Sequence, residues 1–349
     1  MGDSGDSGDS GDSMGDSTRR VLVTGGTGMV GYCIVQSLLA RGHHVRALVR
    51  SLDKGRALLP AACELVQGDV TAPETLTAAV AGCSWVFHAA GFPEQWMRDP
   101  STFDRINAEG TANMVAAARA AGVARFVLTS TIDVFRWRKG EPYDETELDP
   151  EPKQTHYERS KQRADKIVAD AVASGLDAVF LHPSGVYGPA PSDSPGTNDL
   201  LLKLAHGKVP ALLPGGYPVV FAPDVGEGHV RAAERASPGA RFILSERYYP
   251  LTELAGEMLA ALGLPRKVPR VIPLWLASTI STMGELKGKL IGSPPLMPKG
   301  QLQFLQVDAY PSATRATAEL GLQFTPLADG LAKTVAWLRA TGKLPATSA

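Results

Sequence analysis

Cysteine is scarce in this chain of 349 residues. Cys33, Cys63 and Cys83 stand apart, with neither a Cys-x-x-Cys pair nor a Cys/His spacing. That excludes a disulfide framework and a zinc site, and it reads as buried thiols in a reducing compartment. Excess charge is missing too: 35 Lys+Arg against 36 Asp+Glu leave a formal net charge of -1. A nucleic-acid partner favours a basic surface and is not expected. No secretory signal is visible, so a cytoplasmic location is expected. The apolar run VIPLWLASTISTM, Val271 to Met283, falls short of the roughly 20 residues of a bilayer-spanning helix. It is expected to form a binding-site wall or a buried helix, with shallow interfacial contact as the alternative. Residues 1–18 repeat Gly, Asp and Ser and hold almost nothing apolar to bury, so they read as a disordered, tag-like segment.

What the chain does have is alternation. Apolar runs at 20–25, 44–50, 63–70, 84–91, 124–131 and 177–183 are separated by helix-forming stretches, including 29–42 and 103–122. Thr71, with Glu74 three residues on, looks like a helix start. Continuous apolar strands between such helices mean βαβ units and a parallel sheet covered on both faces. Ligands then bind at the carboxyl ends of the strands. After residue 190 the pattern loosens into a Pro/Gly/Ser loop, one short strand and one helix within 212–236, a strand at 240–245 and helical pieces broken by prolines. The expected division is a nucleotide-binding unit over 19–190, with later contributions near 219–246. A substrate lobe over 191–343 and a tail at 344–349 complete it.

The first strand runs into VTGGTGMVG, with glycines at 25, 26, 28 and 31 directly before a helix. In this strand–turn–helix setting the glycines allow a tight turn and close approach of a pyrophosphate, which lies on the helix N-terminus. The second strand ends in Arg50, where an acidic residue would hold the ribose of NAD. An arginine there suits a 2′-phosphate, so NADP(H) is the expected cofactor and NAD(H) the alternative. Asp53 reads as a loop or helix-start acid. Further along, Tyr157 and Lys161 lie four apart on a helix and share a face. An ammonium near a phenol favours the phenolate, so Lys161 is expected to lower the pKa of Tyr157.

Together these pieces resemble the extended short-chain dehydrogenase/reductases over nearly the whole chain after residue 18. The phosphate loop matches at Thr24, Gly25, Gly28 and Gly31, with Met29 inside it. The adenine contact matches at Asp69 and Val70, and the fourth-strand signature runs from His88 through Ala89, Ala90 and Gly91. Asn107, Gly110 and Thr111 match a further motif, as do Pro183, Tyr187, Gly188 and Pro189 with Val186 among them, and then Asp224 with His229. The resemblance implies a Rossmann-type doubly wound α/β fold with a parallel sheet and a smaller irregular C-terminal substrate lobe. It implies Tyr157 as acid/base, Lys161 on the nicotinamide ribose, Asn107 in the catalytic group, and a carbonyl-polarising hydroxyl on Thr131. Ser130 takes that last role if the register shifts by one. No metal is implied, and a homodimer is, through helices of the nucleotide domain.

The residues after Thr131 are Ile132 and Asp133, so the Asp-Glu pair of sugar dehydratases is missing. Apolar residues cluster where substrate would lie: Phe92, Trp96, Met97, Phe135 and Trp137, with Tyr187 also expected at the substrate. His182 stands where many relatives have arginine. The resemblance is nearest to the 3β-hydroxysteroid dehydrogenase and dihydroflavonol reductase branch. The expected activity is ketone–alcohol interconversion on a small hydrophobic steroid-like, 3-oxoacyl or flavonoid-like substrate. A nucleotide-sugar or hopanoid-associated epimerase-like enzyme and a non-catalytic NADP-sensing protein are the alternatives.

Overall fold

The computed structural model describes residues 18–93, 96–191, 196–291 and 299–345. The tag-like segment therefore lies outside the described residues except for Arg-flanked Thr18, and so does most of the tail. The chain opens with β1 (Arg20–Thr24), α1 (Met29–Ala40), β2 (His44–Val49), α2 (Leu52–Leu58) and β3 (Glu64–Gln67). A 3-10 turn, Pro73–Thr75, leads into α3 (Leu76–Val80) and β4 (Trp85–His88). Next come α4 (Ser101–Phe103), α5 (Gly110–Ala120), β5 (Arg125–Thr129), β6 (Pro142–Tyr143), α6 (His156–Ala173), β7 (Ala178–Pro183) and β8 (Gly185–Tyr187). The second half holds α7 (Thr197–Ala205), β9 (Gly216–Phe221), α8 (Ala222–Arg235), β10 (Arg241–Leu244), β11 (Arg247–Pro250), α9 (Leu251–Leu262) and α10 (Leu274–Ile291). It closes with α11 (Lys299–Leu305), β12 (Tyr310–Pro311), α12 (Thr314–Leu320) and α13 (Leu327–Ala340).

Seven strands form one parallel sheet in the order β10-β7-β5-β4-β1-β2-β3. Side chains alternate across it, and both faces are apolar because both are covered. Val21, Val23, Phe87 and Val127 pack on one face with α1 and α8. Leu22, Val86, Phe126 and Leu128 pack on the other with α3, α5 and α6. A second core gathers Val219, Phe221, Leu254, Met258, Leu331 and Val335 around a three-stranded sheet, β11-β9-β8, and helices α7, α9 and α13.

Three local features differ from the sequence reading. Thr71 does not cap a helix: its amide and hydroxyl both donate to Asp69 Oδ1 at 2.9 Å, and the turn begins two residues later at Pro73. The stretch read as one helix over 103–122 contains a π-helical segment, Asp104–Glu109, between α4 and α5. A Cβ on Gly110 would lie 2.7 Å from Val70 Cγ2, so only glycine lets α5 start this close to the strand-3 loop. Finally, α12 returns to the first core through Ala316 and Leu320, although it falls inside the stretch read as substrate lobe. The apolar pattern showed helices there, but not which core they serve.

Candidate active site

The residues that the motifs single out converge on the carboxyl edge of the seven-stranded sheet. At the end of β1, Gly25 takes φ +72°, and Gly28 N–H donates to its carbonyl at 2.9 Å. A Cβ on Gly31 would lie 2.3 Å from the same oxygen, so the turn closes only on glycine. Gly28 caps α1 without any side-chain hydrogen bond. The first-turn N–H groups of α1 are thus left for an anion, as a dinucleotide pyrophosphate requires. Met29 is buried behind them with Cys33, Ala190 and Ala222. The cradle fits the expected cofactor.

Around it stand the other expected contacts. Arg50 is exposed just past the end of β2. Asp53 sits in the first turn of α2 and pairs with Arg56 at 2.9 Å, away from the ribose role. Asp69 is half-buried, with Oδ1 held by Thr71, and Val70 is buried beside it. Ala89, Ala90 and Gly91 follow β4, Pro183 ends β7, and Val186 lies in β8, with Ser184 alone between the two strands.

A buried relay fixes the strand-4 corner. Thr111 Oγ1 donates to Asn107 O at 2.6 Å, so it accepts from His88 Nε2 at 3.0 Å. That leaves His88 Nδ1 to accept from Thr24 Oγ1 at 2.9 Å, and Thr24 Oγ1 accepts Ala90 N–H at 3.1 Å. The ring is neutral in this arrangement: burial, then Lys161, lowers it to about 3.

Tyr157 enters on the first turn of α6. Thr155 caps this helix and Glu158 closes the capping box, accepting Thr155 N–H at 2.8 Å. Asn107, on the π-helical segment, donates to Ser160 Oγ at 2.9 Å and accepts Phe92 N–H at 2.7 Å. It therefore positions both the helix carrying Tyr157 and the loop after β4. Phe92 packs tilted against Phe103, centroids 5.6 Å apart, and Phe103 meets the Tyr157 ring edge-on at 6.5 Å.

Thr131 and Ser130 part company. Ser130 Oγ donates to Asp165 Oδ2 at 2.7 Å, below the site. Thr131 is the hydroxyl beside Tyr157, where it opposes in small part the upward shift of the phenol. Its own proton goes to Asp133 Oδ2 at 2.8 Å. Behind it, His182 Nδ1 donates to Thr131 O at 3.1 Å, while Nε2 accepts from Arg241 at 3.4 Å. Arg241 in turn pairs with Asp165 at 2.7 Å. His182 is thus a buried support for Thr131, and burial with Arg241 keeps it well below its usual range.

The electrostatics correct one expectation. Burial, followed by the Asp133 carboxylate, pushes the Tyr157 phenol up, not down. Lys161 is not among the groups that offset this, and its ammonium donates to Thr129 O at 2.7 Å. Burial brings Lys161 itself down to about 8 against the opposing pull of Asp165 and Asp133. Asp133 is raised to about 6 by burial and by Glu158, against Thr131, Lys153 and Lys161. The isolated spacing of Tyr157 and Lys161 predicts attraction between them, but desolvation is the larger effect.

Two expected substrate contacts are core residues instead. A 3-10 turn, Ile132–Val134, rolls Phe135 inward, where it is fully buried against Ile243 and lies 4.6 Å from the His182 ring. Tyr187 is buried in the second core beside Phe221. Trp96 and Met97 are half-buried. Trp137 and Tyr143 line a narrow crevice of about 10 Å³ with Ile132, Asp133, Tyr248 and Phe304. It shares Tyr248 and Asp308 with an open groove of about 530 Å³ bordered by Leu213, Val271 and Leu305. Asp133, Asp165 and Asn107's partner Ser160 were not singled out for the site. The signal for Asp165 was its place four residues after Lys161, on the Tyr157 face of α6. Among the described residues no metal-binding cluster of His, Cys, Asp and Glu occurs.

Residues 21–244 match the NAD dependent epimerase/dehydratase family. A Synechocystis protein provisionally named dihydroflavonol 4-reductase is 31% identical over 326 residues, spanning 92% of this chain and 94% of its own length. The 2-alkyl-3-oxoalkanoate reductase of Stenotrophomonas maltophilia is 31% identical over 296 residues, spanning 79% of this chain and 86% of its own. The crystal structure of gox2253 superposes with a TM-score of 0.80 at 30% identity, covering 94% of this chain and all of that one (100%).

Proposed function

This chain belongs to the NAD dependent epimerase/dehydratase family, and from that premise we propose an NADPH-preferring reductase of hydrophobic ketones. The observation that carries the reading is the Thr131 hydroxyl bonded to Asp133 at 2.8 Å, since Asp133 also lines the crevice walled by Trp137, Tyr143, Tyr248 and Phe304. Reductases of apolar carbonyl compounds among the relatives support it.

The glycine turn, Asp69, Val70, the 89–91 corner and the Pro183–Val186 step would hold the cofactor, which supplies hydride when bound. Tyr157 gives the carbonyl oxygen its proton. The phenol is protonated at neutral pH, as a proton donor to the carbonyl must be. Lys161 keeps the cofactor-side pocket cationic below about pH 8. Asn107 positions Tyr157 through Ser160.

Asp133 adds a pH dependence. Above about pH 6 its carboxylate holds the Thr131 proton, so Thr131 has no hydrogen to offer the carbonyl. Below that pH the protonated carboxyl releases it. Ketone reduction is therefore expected to rise by roughly tenfold as pH falls through the Asp133 transition. Asp133→Asn should flatten this limb in a kcat/KM profile; an unchanged limb would remove Asp133 from the proton path.

Reduced-nicotinamide absorbance, followed across steroid, 3-oxoacyl and flavonoid ketones, tests the activity itself. Turnover of none of them, with thermal protection by a nucleoside diphosphate, would favour the sugar-enzyme reading. Cofactor choice is tested at Arg50, the exposed cation next to the expected 2′-phosphate. Arg50→Asp should lower kcat/KM for NADPH by roughly 10- to 100-fold, the worth of one hydrogen bond to a charged group. Equal losses with NADH would count against this role.

A further inference from the structure

The run Val271–Met283 is neither buried nor confined to the groove wall. Among the described residues, seven of the nine exposed large hydrophobic side chains fall within 268–286: Val268, Val271, Leu274, Trp275, Ile280, Met283 and Leu286. Trp275, Met283 and Leu286 are 69%, 67% and 61% exposed and follow helical spacing along the outer face of α10. Ala277 and Ser281 form its buried inner face. The one hydroxyl bonded on the outer stripe, Thr279 Oγ1, donates back to Trp275 O at 2.8 Å, so its donor needs no water.

Charge along this stretch is mostly positive, with Glu285 on α10 paired to Lys299. Between Glu257 and Glu285 the chain carries no acid, while Arg266, Lys267 and Arg270 precede the helix and Lys287 lies within it. All four are exposed, and Lys267, Arg270 and Lys287 form no ion pair among the described residues. A broad apolar stripe bordered by unpaired cations is the pattern of a helix lying in the plane of an anionic lipid surface. A second copy fits less well. A two-fold contact would bring the same patch against itself and set cation against cation. The helix is also not long and apolar enough to cross a membrane.

We propose that α10 and the preceding 266–273 segment dock this protein on the surface of an anionic bilayer, with Trp275, Met283 and Leu286 entering the acyl boundary. Val271 belongs both to this face and to the open groove that meets the cavity beside Asp133. Docking would therefore set the groove mouth against the phase in which an apolar substrate dissolves.

Flotation of the full chain with phosphatidylglycerol/phosphatidylcholine vesicles tests this. Binding is expected with the mixed vesicles, with loss of most of it in high salt or on pure phosphatidylcholine. The variant Trp275→Ser/Met283→Asp should reduce the bound fraction by at least roughly tenfold. Lys267→Glu/Arg270→Glu should do so without touching the apolar stripe. Both changes lie on exposed positions, and unchanged thermal melting would show that the fold persists. Turnover of a short water-soluble ketone should stay the same. Absence of flotation, or flotation unaffected by either variant, would overturn the proposal. So would a lipid-free dimer that Trp275→Ser/Met283→Asp converts to monomer, because the face would then belong to a second copy. None of these readings depends on which ketone is reduced.

Discussion

Tyr157→Phe is expected to lower kcat for ketone reduction by roughly 10²- to 10⁴-fold, the range for removing a positioned general acid. The substitution deletes one hydroxyl and little else. The ring keeps its edge contact with Phe103. Ser160 binds the Tyr157 carbonyl oxygen and not its side chain, so the link to Asn107 survives. The glycine turn lies on another strand, so NADPH affinity, measured by fluorescence titration, should change little. Stability should hold or rise slightly, since a phenol in an apolar site costs desolvation. Activity within about tenfold of the parent would show that another group delivers the proton. Thr131→Ala separates the roles further: its loss should lower kcat chiefly below about pH 6, where Thr131 has its proton to offer, and leave the Tyr157 proton source intact.

The parts of this site that were legible in the sequence are those set by backbone geometry. Glycines at 25, 28 and 31 declare a turn because no other residue fits it, and the period-two and period-3.6 apolar patterns declare the sheet and its helices. Resemblance placed Tyr157, Lys161 and Thr131 together. What was not legible depends on tertiary burial. Phe135 looks like a pocket aromatic until the Ile132–Val134 turn carries it under His182. The sign of the shift on Tyr157 follows from desolvation and from Asp133, and neither is visible in a four-residue spacing. The π-helical turn at Asn107 has no composition signal. Exposure of Trp275 reverses the expectation of a buried helix, because an apolar run reads the same whether it faces protein, solvent or lipid.

The hidden support of the site gives the second large effect. Asp165→Ala should destabilise the fold by about 3–5 kcal/mol, as expected when one member of a buried ion pair is removed. Asp165 is almost fully buried, pairs with Arg241 at 2.7 Å and accepts from Ser130 at 2.7 Å. Without it the guanidinium stays buried over the Phe180 ring, 4.1 Å from its centre, with only His182 as a neutral partner. Adding Arg241→Met removes that orphaned charge, so urea unfolding of the double variant should recover most of the loss. Failure to recover would mean that the Ser130 contact, and not the ion pair, carries the stability. The single variant should also mark the active site. Asp165 holds Lys161 up against burial, so its loss lets the Lys161 pKa fall further below about 8. The ammonium is then lost at lower pH, and the alkaline limb of kcat/KM should move toward neutrality. Because Arg241 also fixes His182, and His182 holds the Thr131 carbonyl, kcat should fall in both variants even where the fold is restored.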